Sequence, residues 1–451
     1  MKIGFISLGC PKNQLDTEVM LHEAISAGHE ITPDETQADI VIINTCAFIE
    51  SAKKEAIENI LDIAWLKTNA DLKGIIVTGC MAERYGREIL DEFPEVDAVL
   101  GVGSIHNICE AIDAVEKQIN TKKFNPENRY YSCEDKNTVK LGGDRILTTP
   151  EYAAYLKISE GCDNRCTYCA IPNIRGKFRS RPMEELIEEA KELDSLGIKE
   201  LTIIAQDTTR YGIDLYGKYM LDELIRKICE ATSIPWIRLL YCYPDKITDE
   251  LVAEIRDNPR VVKYIDIPLQ HISDPILRRM NRRGRSELIK NVIKKLRDNI
   301  PEIAIRTTFI VGFPGENEDD FIKLAEFMKE ARFEHAGVFT YSREEGTPAY
   351  DFDGQVDEQI KQDRMDILMK SQLEINSQIN ESMIGKTLTV LCEDYDPVSE
   401  THFGRSQFDA PEIDGKIFFK SETRIKPGSF VDVKIRKVIE YDLFGFAVTK
   451  N

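Results

Sequence analysis

A thirteen-residue stretch, Lys157–Cys169 (KISEGCDNRCTYC), constrains this chain more than any other. It holds Cys162, Cys166 and Cys169 in C-x3-C-x2-C spacing. Three thiolates on so short a loop can converge on one soft-metal centre. Cys thiolates hold iron–sulfur clusters, and three of them on a four-iron core leave one iron without a protein ligand. An open position of that kind marks a catalytic metal site, whereas structural sites are closed. Zinc is the alternative. A zinc ribbon calls for a second C-x2-C pair about fifteen to twenty residues on, but the next cysteine is Cys229. Tyr155–Ile158 reads as a strand entering the loop, and Ser180–Met183 as the start of the helix after it.

The rest of the chain can be divided around this loop. A length of 451 residues suggests roughly three domains. A net charge of −19 argues against non-specific attraction to phosphate backbones. No apolar run reaches the length of a membrane span. The opening MKIGFISLG reads as a buried strand without signal-peptide architecture. Eleven cysteines in such a chain favour metal-bound or free thiols in a reducing cytoplasm over disulfides.

Residues 1–118 alternate apolar runs with amphipathic stretches. Ile3–Leu8, Asp39–Asn44, Lys73–Thr78 and Val96–Gly101 predict strands buried on both faces, as in a doubly wound parallel sheet. Cys10, Cys46 and Cys80 each follow one of the first three strands. Parallel strands end on one edge of their sheet, and the loops there form the ligand crevice of such folds. Three cysteines far apart in sequence are therefore expected to meet as a second three-thiolate site. The plainer alternative is three separate buried thiols. Residues 119–150 are polar and irregular and read as a linker, with room for a short strand pair.

From 151 to 356 six strand–helix units predict an open six-stranded barrel with its chemistry at the C-terminal strand ends. Gln206 follows the second strand, His271 the fourth, and Gly312-Phe313-Pro314-Gly315-Glu316 the fifth. The glycine turn suits either close backbone approach to a ligand or an ordinary strand-to-helix connection. A single His is more often packed or solvated than a proton carrier. Arg175, Lys177, Arg179 and Arg181 form a basic run after the cysteine loop; it reads as a solvated face or as help for an acidic ligand. Residues 357–382 predict a connecting helix. Residues 383–451 predict five short strands in a small antiparallel barrel, a form often used to hold nucleic acid. Ten basic and eleven acidic residues there make a poor electrostatic footprint for RNA.

A cluster on the loop leaving a first strand, with Tyr168 before its last cysteine, resembles the radical S-adenosylmethionine (SAM) superfamily. The three-part order resembles the methylthiotransferase family: an N-terminal cluster domain, a radical SAM core and a C-terminal TRAM barrel. Ser7-Leu8-Gly9-Cys10-Pro11-Lys12-Asn13, Asn44-Thr45-Cys46-Ala47-Phe48-Ile49 and Ala205-Gln206-Asp207-Thr208-Thr209 resemble the branch acting on ribosomal protein uS12.

The resemblance implies methylthiolation of an aspartate β-carbon by an enzyme with two 4Fe–4S clusters. One is held by Cys10, Cys46 and Cys80, the other by Cys162, Cys166 and Cys169. SAM then serves as methyl donor and radical source, in a pocket that includes Tyr168, Gln206, Gly312, Pro314 and Gly315. A low-potential electron donor such as flavodoxin or ferredoxin is implied, with the sulfur source left open. Two rival readings stand beside it: a tRNA methylthiotransferase acting on a modified adenosine beside the anticodon, and a non-enzymatic metal-binding ribosome adaptor.

Overall fold

The computed structural model describes residues 1–121 and 128–448. Residues 122–127 of the expected linker and 449–451 of the expected last domain lie outside them. The chain divides into two compact units. One comprises Met1–Thr148, Ser159–Arg181 and Ser342–Tyr350; the other comprises Thr149–Ile158, Pro182–Tyr341 and Asp351–Asn451.

The first unit is built on six parallel strands: β1 (Lys2–Ser7), β2 (Glu30–Thr32), β3 (Ile40–Thr45), β4 (Gly74–Gly79), β5 (Ala98–Leu100) and β6 (Tyr130–Ser132). Their order is β2-β1-β3-β4-β5-β6. Every residue of β3 and β4 is buried, as continuous apolar runs require when helices cover both faces. Helices Pro11–Ser26 and Ile108–Thr121 close one face with Met20, Ala24, Ile108, Ile112 and Val115. Helix Glu50–Asn69 closes the other with Ala56, Ile60 and Ile63.

Two features depart from expectation. The 119–150 stretch is more than a linker: it supplies β6, which pairs in parallel with β5, and Arg145 and Thr148 bind the buried Glu18 carboxylate. The cysteine loop also groups with the first unit, not with the barrel. The reason is apolar: Ala170 and Ile174 belong to the same core cluster as Val41, Ile43, Val77 and Ala82.

The second unit holds six parallel strands: β7 (Ala153–Lys157), β8 (Glu200–Ile204), β9 (Trp236–Leu239), β10 (Tyr264–Asp266), β11 (Ala304–Val311) and β12 (His335–Thr340). They form two three-stranded sheets, β9-β8-β7 and β10-β11-β12, joined by an Ile237–Val261 bridge. Among the described residues β7 and β12 are not paired, so the run stays open. Helix Glu358–Glu381 follows it. A closed five-stranded barrel completes the unit: β13 (Thr387–Asp396), β14 (Thr401–Ser406), β15 (Ile417–Lys420), β16 (Phe430–Ile439) and β17 (Asp442–Ala447). Val390, Cys392, Phe419, Val433 and Ile435 fill it.

This barrel is held to the strands beside it by a buried ionic cluster. Glu200 of β8 accepts from Arg238 Nε at 2.7 Å and Arg405 Nη2 at 2.6 Å. Arg405, on β14, also reaches Glu393 at 2.6 Å.

Candidate metal centre

The site grows from the C-terminal ends of β1, β3 and β4. Cys10 caps helix Pro11–Ser26, whose first residue is a proline; a missing N–H costs nothing in a first helical turn. Cys46 lies just beyond β3, and Cys80 opens helix Cys80–Tyr85. Glycine makes the turns possible at two of these positions. Gly9 has φ +88°, and a Cβ there would stand 2.7 Å from Cys46 Cβ. Gly79 has φ +91°, and its Cβ would stand 2.2 Å from Asn44 Oδ1. Both need a left-handed backbone and close approach, which only glycine supplies without strain.

Asn13 ties the edge together. Its amide donates to the carbonyls of Leu8 at 2.8 Å and Thr45 at 3.1 Å. Its own carbonyl accepts from Asn44 Nδ2 at 2.8 Å. Asn13 Oδ1 faces Cys80 Sγ at 3.9 Å and accepts from Arg175 Nη2 at 2.8 Å. Arg175 ends the short helix Ile171–Arg175 after the cysteine loop. It is 2% exposed and reaches Asp16 at 2.5 Å, Glu160 at 3.4 Å and Cys80 Sγ at 3.4 Å.

The three thiols feel one another and the arginine. Desolvation pushes the Cys10 thiol up, but the charges of Lys12 and Arg175 and two backbone N–H groups outweigh it, and its pKa is lowered. Burial raises Cys46, with the Cys10 charge adding to the rise. Burial pushes Cys80 up to about 12 against the pull of Arg175, with Cys10 and Cys46 both contributing. Thiols raised in this way need a cation to ionise.

The other trio occupies the loop between Ser159–Glu160 and Ile171–Arg175. Cys166 is buried, while Cys162 and Cys169 are half-buried. The Cys162 N–H donates to the Gly176 carbonyl at 3.1 Å, and that of Cys169 to Cys166 at 3.1 Å. Segment Ser342–Tyr350 braces this loop through Ala349 N–H to the Thr167 carbonyl at 2.9 Å. Its Glu344, 1% exposed, binds Arg84 at 2.8 Å and Lys53 at 3.1 Å. Among the described residues no three His, Cys, Asp or Glu side chains are gathered tightly enough for one metal ion. A cubane is broader than an ion and takes each thiolate on a different iron. The donor sets suit it: three cysteines each, with Arg175 to offset thiolate charge at the first.

The basic run is not a continuous solvated face. Arg175 is buried in ion pairs, and Arg179 donates to the carbonyls of Val139 at 2.7 Å and Lys136 at 2.6 Å. Arg181 is buried against Gly142, and Lys177 alone of the four is exposed.

Of the expected pocket residues, Tyr168 is half-buried on the cysteine loop in the first unit. Gln206 follows β8, and the Gly312–Gly315 turn follows β11, both in the second unit. Sequence reasoning missed what shapes that turn. The buried Glu316 carboxylate accepts the N–H of Gly312 at 2.9 Å and pairs with Arg364 at 2.8 Å. His271 is fully buried: its Nδ1 accepts from Ser273 N–H at 2.9 Å, and its Nε2 lies 3.5 Å from Glu316.

Family models match all three parts of the chain: the radical SAM superfamily over residues 156–328, the uncharacterized protein family UPF0004 over 2–101 and the TRAM domain over 384–448. Among solved structures, the radical SAM methyltransferase TsrM from Kitasatospora setae aligns with a TM-score of 0.57 at 14% identity. The alignment covers 86% of this chain and 80% of that one, a likeness of fold alone. Fold and models together define a radical SAM enzyme, a class that implies a 4Fe–4S cluster and SAM.

Relatives narrow the class. The ribosomal protein uS12 methylthiotransferase RimO of a Thermoanaerobacter species is 50% identical over 443 residues, covering 98% of this chain and 99% of that one. The protein of the same name from Acetivibrio thermocellus is 47% identical over 450 residues, covering 100% and 99%. The chain belongs to the ribosomal protein uS12 methylthiotransferase family. No helix of the described residues is long and apolar enough to cross a membrane.

Proposed function

We propose that this chain adds a methylthio group to the β-carbon of an aspartate in ribosomal protein uS12, using both cysteine trios as 4Fe–4S ligands. The observation that carries the reading is end-to-end likeness to relatives bearing that name. An aspartate β-C–H is unactivated, and no side-chain base removes that proton near neutrality. When bound at Cys162, Cys166 and Cys169, the cluster and SAM supply a radical able to take the hydrogen atom instead.

The residues of the chain do the rest. Cys10, Cys46 and Cys80 hold the group that carries the sulfur to be inserted, and their Arg175 offsets its charge. Burial of Cys46, Cys80 and Cys166 limits water at those thiols. The Glu316-held glycine turn, with Gln206 and Pro314, would line the SAM pocket of the second unit. When bound, SAM would supply both the methyl group and the radical. A low-potential donor such as flavodoxin or ferredoxin supplies the electron.

Mass spectrometry of uS12 and of tRNA from cells with and without this gene tests the reading. The methylthio mass on a uS12 aspartate is expected to vanish with the gene and return on complementation, while tRNA is unchanged. Loss from tRNA with uS12 intact would favour the tRNA enzyme. A colourless, zinc-loaded protein after anaerobic purification would favour the ribosome adaptor.

A further inference from the structure

Arg175 is among the most completely buried charged side chains of the described residues. One Nη reaches Asp16 at 2.5 Å and Glu160 at 3.4 Å. The other is shared between Asn13 Oδ1 at 2.8 Å and Cys80 Sγ at 3.4 Å. Two carboxylates and an amide thus fix the guanidinium plane, and the second N–H of Nη2 is directed at sulfur. Asn13 Oδ1 can accept from Cys80 only while that sulfur is a thiol. Once Cys80 is a thiolate, Arg175 remains its hydrogen-bond donor. The position is pinned from the other side as well. Arg175 lies six residues beyond Cys169, on a helix anchored in the first core by Ile174.

We propose that Arg175 is a positioning residue for the first cluster: it donates an N–H···S hydrogen bond to Cys80 and raises the reduction potential of the cluster at Cys10, Cys46 and Cys80. This rests on the reading that this trio holds a cluster. The reasoning is electrostatic. Adding one electron makes a cluster more negative. A fixed cation and a donor to its ligand sulfur, in a site shielded from water, favour that reduced form. The donor ends on Cys80, a member of the first trio, so the effect is expected there.

The test uses the full chain with Cys162, Cys166 and Cys169 all replaced by Ala, so that only the first site can bind iron. After anaerobic reconstitution it is titrated with sodium dithionite, a one-electron reductant in this use, and followed by electron paramagnetic resonance. Arg175→Gln is expected to lower the reduced-to-oxidised ratio at the parent's midpoint by tenfold or more, which is about 59 mV for one electron. Arg175→Lys keeps the charge beside Asp16 but loses the fork, and a fall of about threefold or more is expected.

Midpoints within twofold of the parent in both variants, with iron retained, would overturn the proposal. Iron lost in both variants would also overturn it, making Arg175 a retention residue only. An equal shift in the complementary chain, with Cys10, Cys46 and Cys80 replaced and Arg175→Lys added, would overturn the claim of a local effect. Absence of iron in the parent itself would overturn the two-cluster reading and this proposal with it.

Discussion

Cys166→Ala is expected to abolish reductive SAM cleavage and methylthio transfer together, while Cys46→Ala abolishes transfer and leaves cleavage largely intact. The division follows from placement. Cys166 is the buried member of the trio on the loop that leaves β7, where the radical SAM model begins to match. Cys46 stands beyond β3 in the segment matched by the separate N-terminal model, with its Cβ packed toward Gly9 beside Cys10. Removing one thiolate of three would leave a core held there a single pair of protein ligands. Neither change disturbs the other trio's donors. Formation of 5′-deoxyadenosine under dithionite reads the first activity, and the mass of uS12 reads the second. Equal loss of 5′-deoxyadenosine in the two variants would contradict separate roles.

Glu200→Gln is expected to destabilise the second unit by about 3 to 5 kcal/mol, the cost of breaking a buried ion pair from one side. Glu200 and Arg238 are fully buried and Arg405 is 1% exposed. The loss of the carboxylate leaves two guanidiniums, with Glu393 as the remaining carboxylate at Arg405. Desolvation alone would raise the Glu200 pKa; Arg405 and then Arg238 outweigh it and hold it at about 2, from an ordinary 4.5.

The sign follows from linkage. A carboxylate depressed on folding adds stability above its unfolded pKa and loses it as pH falls toward the folded value. The difference between wild type and Glu200→Gln, read by urea unfolding, is therefore expected to be full above pH 4.5 and to shrink as pH drops toward 2. Asp266 and Asp409 act oppositely, since burial raises both, and the difference measurement removes their common contribution. The exposed pair Lys294–Asp298 serves as a control. Asp298→Ala should cost under about 1 kcal/mol. A Glu200→Gln effect no larger than the control would contradict the account.

Much of this architecture is visible in the residues themselves. Runs such as Ile40–Thr45 and Gly74–Gly79 are buried on both faces, so a continuous apolar pattern marks them. The strand-end positions of Cys10, Cys46 and Cys80 follow from the parallel arrangement. Glu30–Thr32 and Tyr130–Ser132 escape because three-residue edge strands are too short to carry a period. Tyr130–Ser132 is also half-exposed, so nothing separates it from the polar stretch around it.

Burial of charge is the other blind spot. Arg175 sits in a basic run that reads as a solvated face or as help for an acidic ligand, and its partners Asp16 and Asn13 lie 159 and 162 positions away. Glu200, Arg238 and Arg405 are similarly scattered. No local pattern distinguishes a buried arginine from a solvated one; only the packed chain does.

The most direct test of the central claim is an iron and sulfide count on three anaerobically reconstituted chains. These are the wild type, one lacking Cys10, Cys46 and Cys80, and one lacking Cys162, Cys166 and Cys169. About eight irons per wild-type chain and about four in each variant are expected, with a cubane signal surviving in both. A wild type with only about four irons, all lost with Cys162, Cys166 and Cys169 and unaffected by removal of Cys10, Cys46 and Cys80, would contradict it.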